Sequence, residues 1–225
     1  MILAAGRGER MRPLTDRCPK PLLPAGGKPL IGWHLERLAQ AGFTEVVINH
    51  AWLGDQIERV LGPGSAWGLR IRYSAEGQAL ETAGGIARAL PMLGDEPFLV
   101  INGDIWCDFD VGRAHAIGGQ LVALNWLAWC VLVPNPEHHP RGDFGLDSGR
   151  LATAPEGAPR LTFAGIGIYH PELFRGIAAG QRAALAPLLR DAAAAGRIGA
   201  ERHDGRWVDV GTPARLAELD AQLRA

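Results

Sequence analysis

The sequence predicts an α/β fold, a Rossmann-like, mainly parallel sheet sandwiched by helices. Two observations predict it. Short apolar runs that read as buried strands alternate with helical apolar stripes through the first hundred residues. The 225 residues, 47 % hydrophobic and 21 % charged, suffice for one α/β unit with a sizeable core and lie away from the disordered range.

Element by element, Ile2 to Ala5 is a strand, followed by a loop from Gly6 to about Gly27 that is rich in Gly, Pro and Arg. Structureless loops of more than about 12 to 15 residues are usually functional or disordered, so this one is the first place to look for a site. Pro29 suits the first position of a helix whose stripe is Leu30, Ile31, Leu35, Leu38 and Ala39 and which Gly42 closes. Val46 to Ile48 reads as a buried strand and Leu53 to Leu61 as a helix ended by Gly62. A strand from Leu69 to Tyr73, a helix capped by Thr82 and a strand from Phe98 to Ile101 complete a βαβαβαβ series. Right-handed crossovers make that series a doubly covered sheet. Farther on, Leu121 to Val133 and Leu161 to Tyr169 read as strands, Pro187 to Ala195 as a helix and Val208 as part of a short strand. Thr212-Pro213 opens a terminal helix through N-cap and N1 chemistry. No repeat of 20 to 50 residues is visible, and no hexapeptide series, so a β-helix domain is not expected.

Composition excludes several functions. No apolar run approaches the roughly 18 residues of a spanning helix. The first residues lack a basic stretch ahead of an apolar one and are no signal peptide, so a cytoplasmic protein without membrane partner is expected. The three cysteines (Cys18, Cys107, Cys130) have neither CxxC nor Cys/His spacing; reduced thiols are expected, not a disulfide framework or a zinc motif. A net charge of −1 argues against a nucleic-acid partner.

Charge is nevertheless concentrated. Residues 7–28 carry six cations (Arg7, Arg10, Arg12, Arg17, Lys20, Lys28) against Glu9 and Asp16, and both of the chain's lysines fall there. Lysine offers a compact point charge that arginine's planar fork does not reproduce, which points to an anion site. Gly6 and Gly8 let the backbone turn tightly and bring N–H groups near phosphate oxygens, although a GxG is also an ordinary turn after a buried strand. It is neither a dinucleotide fingerprint nor a Walker A loop. Pro19-Lys20-Pro21 holds an ammonium on a stiff stretch, where the plain alternative is a surface lysine. Asn102-Gly103-Asp104 follows the strand ending at Ile101, at the carboxyl edge where open α/β sheets bind ligands. Asp209 stands between Val208 and Val210, where an ionised carboxylate is costly unless paired with a cation. Mg²⁺ accepts one or two carboxylates plus substrate phosphate oxygens, so Asp104 and Asp209 suffice as a metal pair. His138-His139 with Asp143 reads as a turn, and Asp108-Phe109-Asp110 matches a DxD pattern too short to be specific.

The ordered set Leu3-Ala4-Ala5-Gly6-x-Gly8-x-Arg10-Met11-x-Pro13-Leu14-Thr15, Pro19-Lys20-Pro21-Leu22, Asn102-Gly103-Asp104 and Val208-Asp209-Val210-Gly211-Thr212 resembles the sugar-1-phosphate nucleotidylyltransferase family over nearly the whole chain. Ile48-Asn49-His50-Ala51-Trp52-Leu53-Gly54 and the stretch from Asn135 to Phe144 resemble its branch of N-acetylmuramate α-1-phosphate uridylyltransferases, which serve peptidoglycan recycling. The resemblance implies a three-layer, GT-A-like nucleotidyltransferase fold. It also implies a single domain over 1–225, with a nucleotide half (1–110) and a sugar half (111–225), as a monomer or small homo-oligomer. The implied partners are UTP and a sugar 1-phosphate, the implied cofactor Mg²⁺ on Asp104 and Asp209. Arg10, Lys20 and Asp104 are implied as catalytic. Ala5, Gly6, Gly8, Glu9, Arg10, Lys20, Tyr73, Glu76, Gly84 and Asn102 are implied at the nucleotide, and Asp143, Glu156 and Gly165 at the sugar. Around Glu156 the chain reads Pro155-Glu156-Gly157-Ala158-Pro159, without the lysine many relatives carry, which implies differently organised sugar-phosphate contacts. Transfer to glucose or mannose 1-phosphate, a DxD glycosyltransferase and a silent nucleotide-sugar sensor are the competing readings.

Overall fold

A computed structural model of the chain describes residues 1–148, 150–152 and 159–224. The elements are β1 (Ile2–Leu3), β2 (Pro24–Ala25), β3 (Lys28–Pro29), α1 (Leu30–Gln40), β4 (Glu45–His50), α2 (Gly54–Leu61), β5 (Arg70–Ala75), α3 (Glu81–Leu93), β6 (Phe98–Asn102) and β7 (Ile105–Cys107). They continue as α4 (Ala114–Leu124), β8 (Ala128–Val133), β9 (Gly145–Asp147), β10 (Arg150–Ala152), β11 (Thr162–Tyr169), α5 (Leu185–Ala194), β12 (Ile198–Arg202), β13 (Trp207–Asp209) and α6 (Pro213–Arg224). Nine strands form one mixed sheet in the order β5-β4-β1-β6-β11-β8-β12-β10-β9. The β5-β4-β1-β6 half is parallel, as the βαβ series requires; β11 enters antiparallel beside β6 and begins the less regular half.

Alternation along the strands divides the core. Ile48, Leu99, Ile101, Val131 and Ile166 face a layer filled by α1, α2 and α4. Their neighbours Val47, Phe98, Val100, Cys130 and Leu132 face a layer filled by α3 and α5. Each such side chain contributes about 1.5 to 3 kcal/mol by leaving water. A third cluster bears directly on the site: Met11 of the glycine loop, Leu23, Leu30, Trp106, Val210, Leu216 and Leu219 bind that loop, the β7–β13 ribbon and α6 into one unit.

Four expectations are corrected. The 6–27 segment contains three short 3-10 turns, Glu9–Met11, Leu14–Asp16 and Lys20–Leu22, rather than featureless loop. Pro29 is the cap before α1, not its first residue. Helix α3 starts at Glu81, and the carbonyl of Ala183 accepts from the Ala83 and Gly84 N–H groups in place of a Thr82 cap. The apolar run from Leu121 to Val133 is not one strand: α4 extends through Leu124, Asn125 ends it at φ 52°, and β8 starts at Ala128.

One buried titratable group sits under the ribbon. His34 of α1 is 4 % exposed, with Nε2 2.9 Å from the Ile105 carbonyl oxygen. Burial drives its pKa from 6.5 down to about 4, against a smaller upward pull from that hydrogen bond. A depressed pKa means that the folded protein binds fewer protons than the unfolded chain. The associated stability is therefore full above pH 6.5 and is lost as pH falls through about 4. The loss amounts to about 3 kcal/mol. His34→Gln is expected to flatten this part of the slope in urea denaturation between pH 7 and pH 4; an unaltered slope in the variant would move the effect elsewhere.

Candidate active site

The glycine loop folds over the carboxyl edge of β1. Gly8 turns at φ +67°, and a Cβ there would stand 3.0 Å from Thr15 and 3.4 Å from the Lys20 Cβ. Thr15 Oγ1 donates to the Gly8 carbonyl at 2.8 Å, which fastens the turn. Arg7 stacks on Trp52 at 3.7 Å, donates to the Thr15 carbonyl at 2.8 Å and pairs with Asp16 at 3.1 Å. Arg12 also pairs with Asp16, at 2.8 Å. Both guanidiniums together hold the Asp16 carboxyl below the usual carboxylate range. Arg10 forms neither a hydrogen bond nor an ion pair with the described residues, and its side chain borders the cavities described below. Two of the loop's arginines therefore build the loop, and Arg10 is left facing the cleft.

Lys20 opens a short turn stiffened by Pro19 and Pro21 and is 7 % exposed, not the surface lysine of the plain reading. A buried ammonium is costly without a partner. Its Nζ donates to Asp104 Oδ2 at 2.7 Å. Asp104 lies in the turn after β6, where the Gly103 N–H donates to the Leu3 carbonyl at 2.8 Å and ties that turn to β1. The chain then forms β7, which pairs antiparallel with β13 so that Asp209 lies opposite Ile105. The Val210 N–H donates to the Asp104 carbonyl at 3.0 Å, which keeps the two acidic residues side by side on one ribbon. Asp209 Oδ2 accepts from Arg215 Nη1 at 2.7 Å and lies 3.3 Å from His138 Nε2.

Adjoining cavities surround these groups. One of about 200 Å³ is bordered by Leu3 to Gly6, Lys20, Asn102 and Asp104. A second, about 320 Å³, is bordered by Arg10, Asn102, Asp104, His138, Gly165 and Asp209. A third, about 240 Å³, is bordered by Gly8 to Met11, Lys20, Asp104 and Gly211. Asp104 is common to all three, so the cations and carboxylates from distant parts of the sequence share one cleft. Beyond Asn102 lies an apolar chamber of about 400 Å³, with Asp143, Phe144, Phe163, Leu185 and Leu189 on its walls. Asp143 is fixed by the Phe163 N–H at 2.9 Å and by His139 Nε2 at 3.0 Å. Gly165, at φ +76° in a bulge of β11, leaves room for Asn102; a Cβ there would come within 2.7 Å of its Nδ2.

The structure thus brings Ala5, Gly6, Gly8, Glu9, Arg10, Lys20, Asn102, Asp104, Asp143, Gly165 and Asp209 to the cleft or its chamber. Tyr73, Glu76 and Gly84 border none of these cavities. Tyr73 donates its hydroxyl to the Gly62 carbonyl at 2.6 Å, and burial pushes its pKa up to about 12. Glu76 is 9 % exposed and braces the following segment from behind, accepting from Asn49 Nδ2 at 2.6 Å and the Leu80 N–H at 2.8 Å. Gly84 is where α3 meets the backbone of Gln181, too close for a side chain. Glu156 lies outside the described residues. Arg215, Asn49 and Thr82 border or touch the cleft unforeseen. His138 also belongs to it, although the His138-His139 pair reads as a simple turn in the sequence. The DxD residues part company: Asp108 pairs with His203 at 2.7 Å, and Asp110 accepts from the Gly112 N–H at 3.0 Å. Neither borders these cavities.

Two carboxylates on one ribbon, each paired with a side-chain cation at the cleft rather than sealed in the core, form a hard-oxygen donor pair that suits a divalent ion also bound by phosphate oxygens.

The family described as "Nucleotidyl transferase" matches residues 1–225. The chain is 58 % identical over 224 residues to the N-acetylmuramate alpha-1-phosphate uridylyltransferase of Neisseria meningitidis serogroup B, covering 98 % of this chain and 96 % of that protein. It is 36 % identical to the protein of the same name from Caulobacter vibrioides, covering 99 % and 96 %. Among solved structures, UDP-glucose pyrophosphorylase complexed with UDP-glucose superposes with a TM-score of 0.75 at 22 % identity over 98 % of this chain and 96 % of that one; this likeness concerns the fold. Among the described residues no helix is long and apolar enough to cross a membrane.

Proposed function

Because the chain belongs to the nucleotidyl transferase family, we propose that it transfers UMP from UTP to N-acetylmuramate α-1-phosphate, forming UDP-N-acetylmuramate and pyrophosphate in peptidoglycan recycling. The observation that carries this reading is the convergence of Arg10, Lys20, Asp104 and Asp209 on one cleft. The shared length and identity with the Neisseria relative supply the nucleotide and the sugar.

A sugar-phosphate oxygen attacks the α-phosphorus of UTP in line; the new P–O bond forms as the bond to pyrophosphate breaks, and no covalent enzyme intermediate arises. The protein's task is positioning and charge neutralisation. The 1–110 half receives the nucleotide: Ala5, Gly6, Gly8 and Glu9 present backbone to the triphosphate, and unpaired Arg10 meets the leaving pyrophosphate. Lys20, already aimed at Asp104, bridges the charge of the α-phosphate and the attacking phosphate. Asn102 faces the ribose. Tyr73, Glu76 and Gly84 act on base reading through the segment they support. Asp104 and Asp209 would hold Mg²⁺, which, when bound, serves as Lewis acid and template. The 111–225 half receives the sugar, with Asp143, Gly165 and Glu156 at its hydroxyl and amide groups. The apolar wall of Phe144, Phe163 and Leu185 suits the methyl groups of the acetyl and lactyl substituents better than the bare ring of glucose.

Purified protein supplied with Mg²⁺ and each of four nucleoside triphosphates against several sugar 1-phosphates is expected to release pyrophosphate fastest with UTP and N-acetylmuramate 1-phosphate. Glucose 1-phosphate should fall behind by about tenfold or more in kcat/KM. Absence of pyrophosphate release with every sugar 1-phosphate would overturn the reading.

A further inference from the structure

Away from the cleft, the sulfur of Cys107, a carboxylate oxygen of Asp108 and a ring nitrogen of His203 all lie within 4.8 Å of one another. Cysteine spacing in the sequence shows no zinc pattern, because His203 lies 96 residues beyond Cys107 in the chain. Cys107 ends β7, and His203 directly follows β12. Backbone hydrogen bonds hold both strands of the site in place. The His203 N–H donates to the Leu132 carbonyl at 2.7 Å, and the Asp108 N–H to the Arg206 carbonyl at 3.1 Å. The His203 ring stands edge-on to Phe109 at 5.7 Å, and its Nε2 is 2.7 Å from Asp108 Oδ1. Gly205 covers the pair so closely that a Cβ would lie 2.6 Å from the imidazole. Among the described residues this is the one group of three or more His, Cys, Asp and Glu side chains so assembled.

We propose that Cys107, Asp108 and His203 form a second metal site, selective for Zn²⁺ or a similar borderline-soft divalent ion and separate from the carboxylate pair of the cleft. Thiolate, imidazole and carboxylate are the donor types of tetrahedral zinc, and sulfur rejects Mg²⁺. Zinc bond lengths put donor atoms roughly 3.5 Å apart, so atoms within 4.8 Å of one another need to close by at most about 1.3 Å. Loading exchanges the thiol proton for the ion, and the exposed side of Asp108 leaves a fourth position for water. The ion would join the end of β12 to the end of β7 that pairs with Trp207, opposite to the end carrying Asp209. It would brace the ribbon without entering the reaction.

The test is a Co²⁺ titration of metal-free full-length protein in excess Mg²⁺, followed by absorption. One equivalent should bring up a thiolate-to-cobalt charge-transfer band in the near ultraviolet with the intense visible bands of tetrahedral cobalt, and Zn²⁺ should displace both. Cys107→Ser should lose the charge-transfer band. His203→Ala, which leaves the core thiol in place and guards against a folding defect in the first variant, should weaken binding by about tenfold or more. Cys18→Ser and Asp209→Asn should titrate as the parent protein does. No charge-transfer band in the parent, a band that survives Cys107→Ser or vanishes with Cys18→Ser, or unaltered affinity in His203→Ala would each overturn the proposal.

Discussion

Lys20→Ala is expected to lower the rate of pyrophosphate release by about a thousandfold or more, equivalent to roughly 4 kcal/mol of transition-state stabilisation. The expectation follows from how the ammonium is held. It is 7 % exposed, set on a proline-stiffened turn and held 2.7 Å from Asp104, so its charge is fixed in place at the cleft. Arginine is no substitute, because Gly8 lies against the base of the side chain and a planar fork is wider than an ammonium. The fold should survive: the Asp104 side chain is 42 % exposed, and water can hydrate it once Lys20 is gone. Thermal denaturation should therefore change little while turnover collapses. A variant with the parent's rate would remove Lys20 from the mechanism.

Asp104→Asn should cost at least as much, by another route. The substitution preserves shape, and the Asp104 carbonyl that receives the Val210 N–H is backbone, so the ribbon keeps its register. What disappears is a negative charge bordering every cavity of the cleft. A divalent ion then keeps Asp209 alone among the proposed ligands, and Lys20 loses the carboxylate that orients it. Turnover should fall by about a thousandfold or more, and raising the metal concentration should not restore it. Rates measured across a wide Mg²⁺ range decide this: full recovery at high metal would limit Asp104 to an affinity role.

The parallel half of the sheet was legible because strands covered on both faces read as unbroken apolar runs such as Val46 to Ile48. The Leu121–Val133 run defeated the same rule. Helix α4 leaves Val122 and Leu124 exposed, so its end has no polar face to distinguish it from the strand that follows. In the site, Lys20 and Asp104 were legible because each lies beside proline or glycine, and Arg10 and Asp209 because a glycine stands two residues away in a short motif. His138 and Arg215 were not, since their contact with Asp209 exists only once the 134–143 loop and α6 fold against the ribbon. Tyr73, Glu76 and Gly84, which the family resemblance implies at the nucleotide, face the scaffold, because local motifs do not encode which side of a segment meets the cleft.

The β7–β13 ribbon has a consequence for biosynthesis. A nascent chain that has emerged as far as Arg202 already holds all nine strands of the large sheet, yet Asp209, the partner strand of β7 and the Asp220 carboxylate that receives the Gly26 N–H at 2.8 Å are still to come. Competence for chemistry then waits on the stretch from Trp207 to Asp220, and a chain stopped at Arg202 would hold the whole large sheet without the second carboxylate of the cleft.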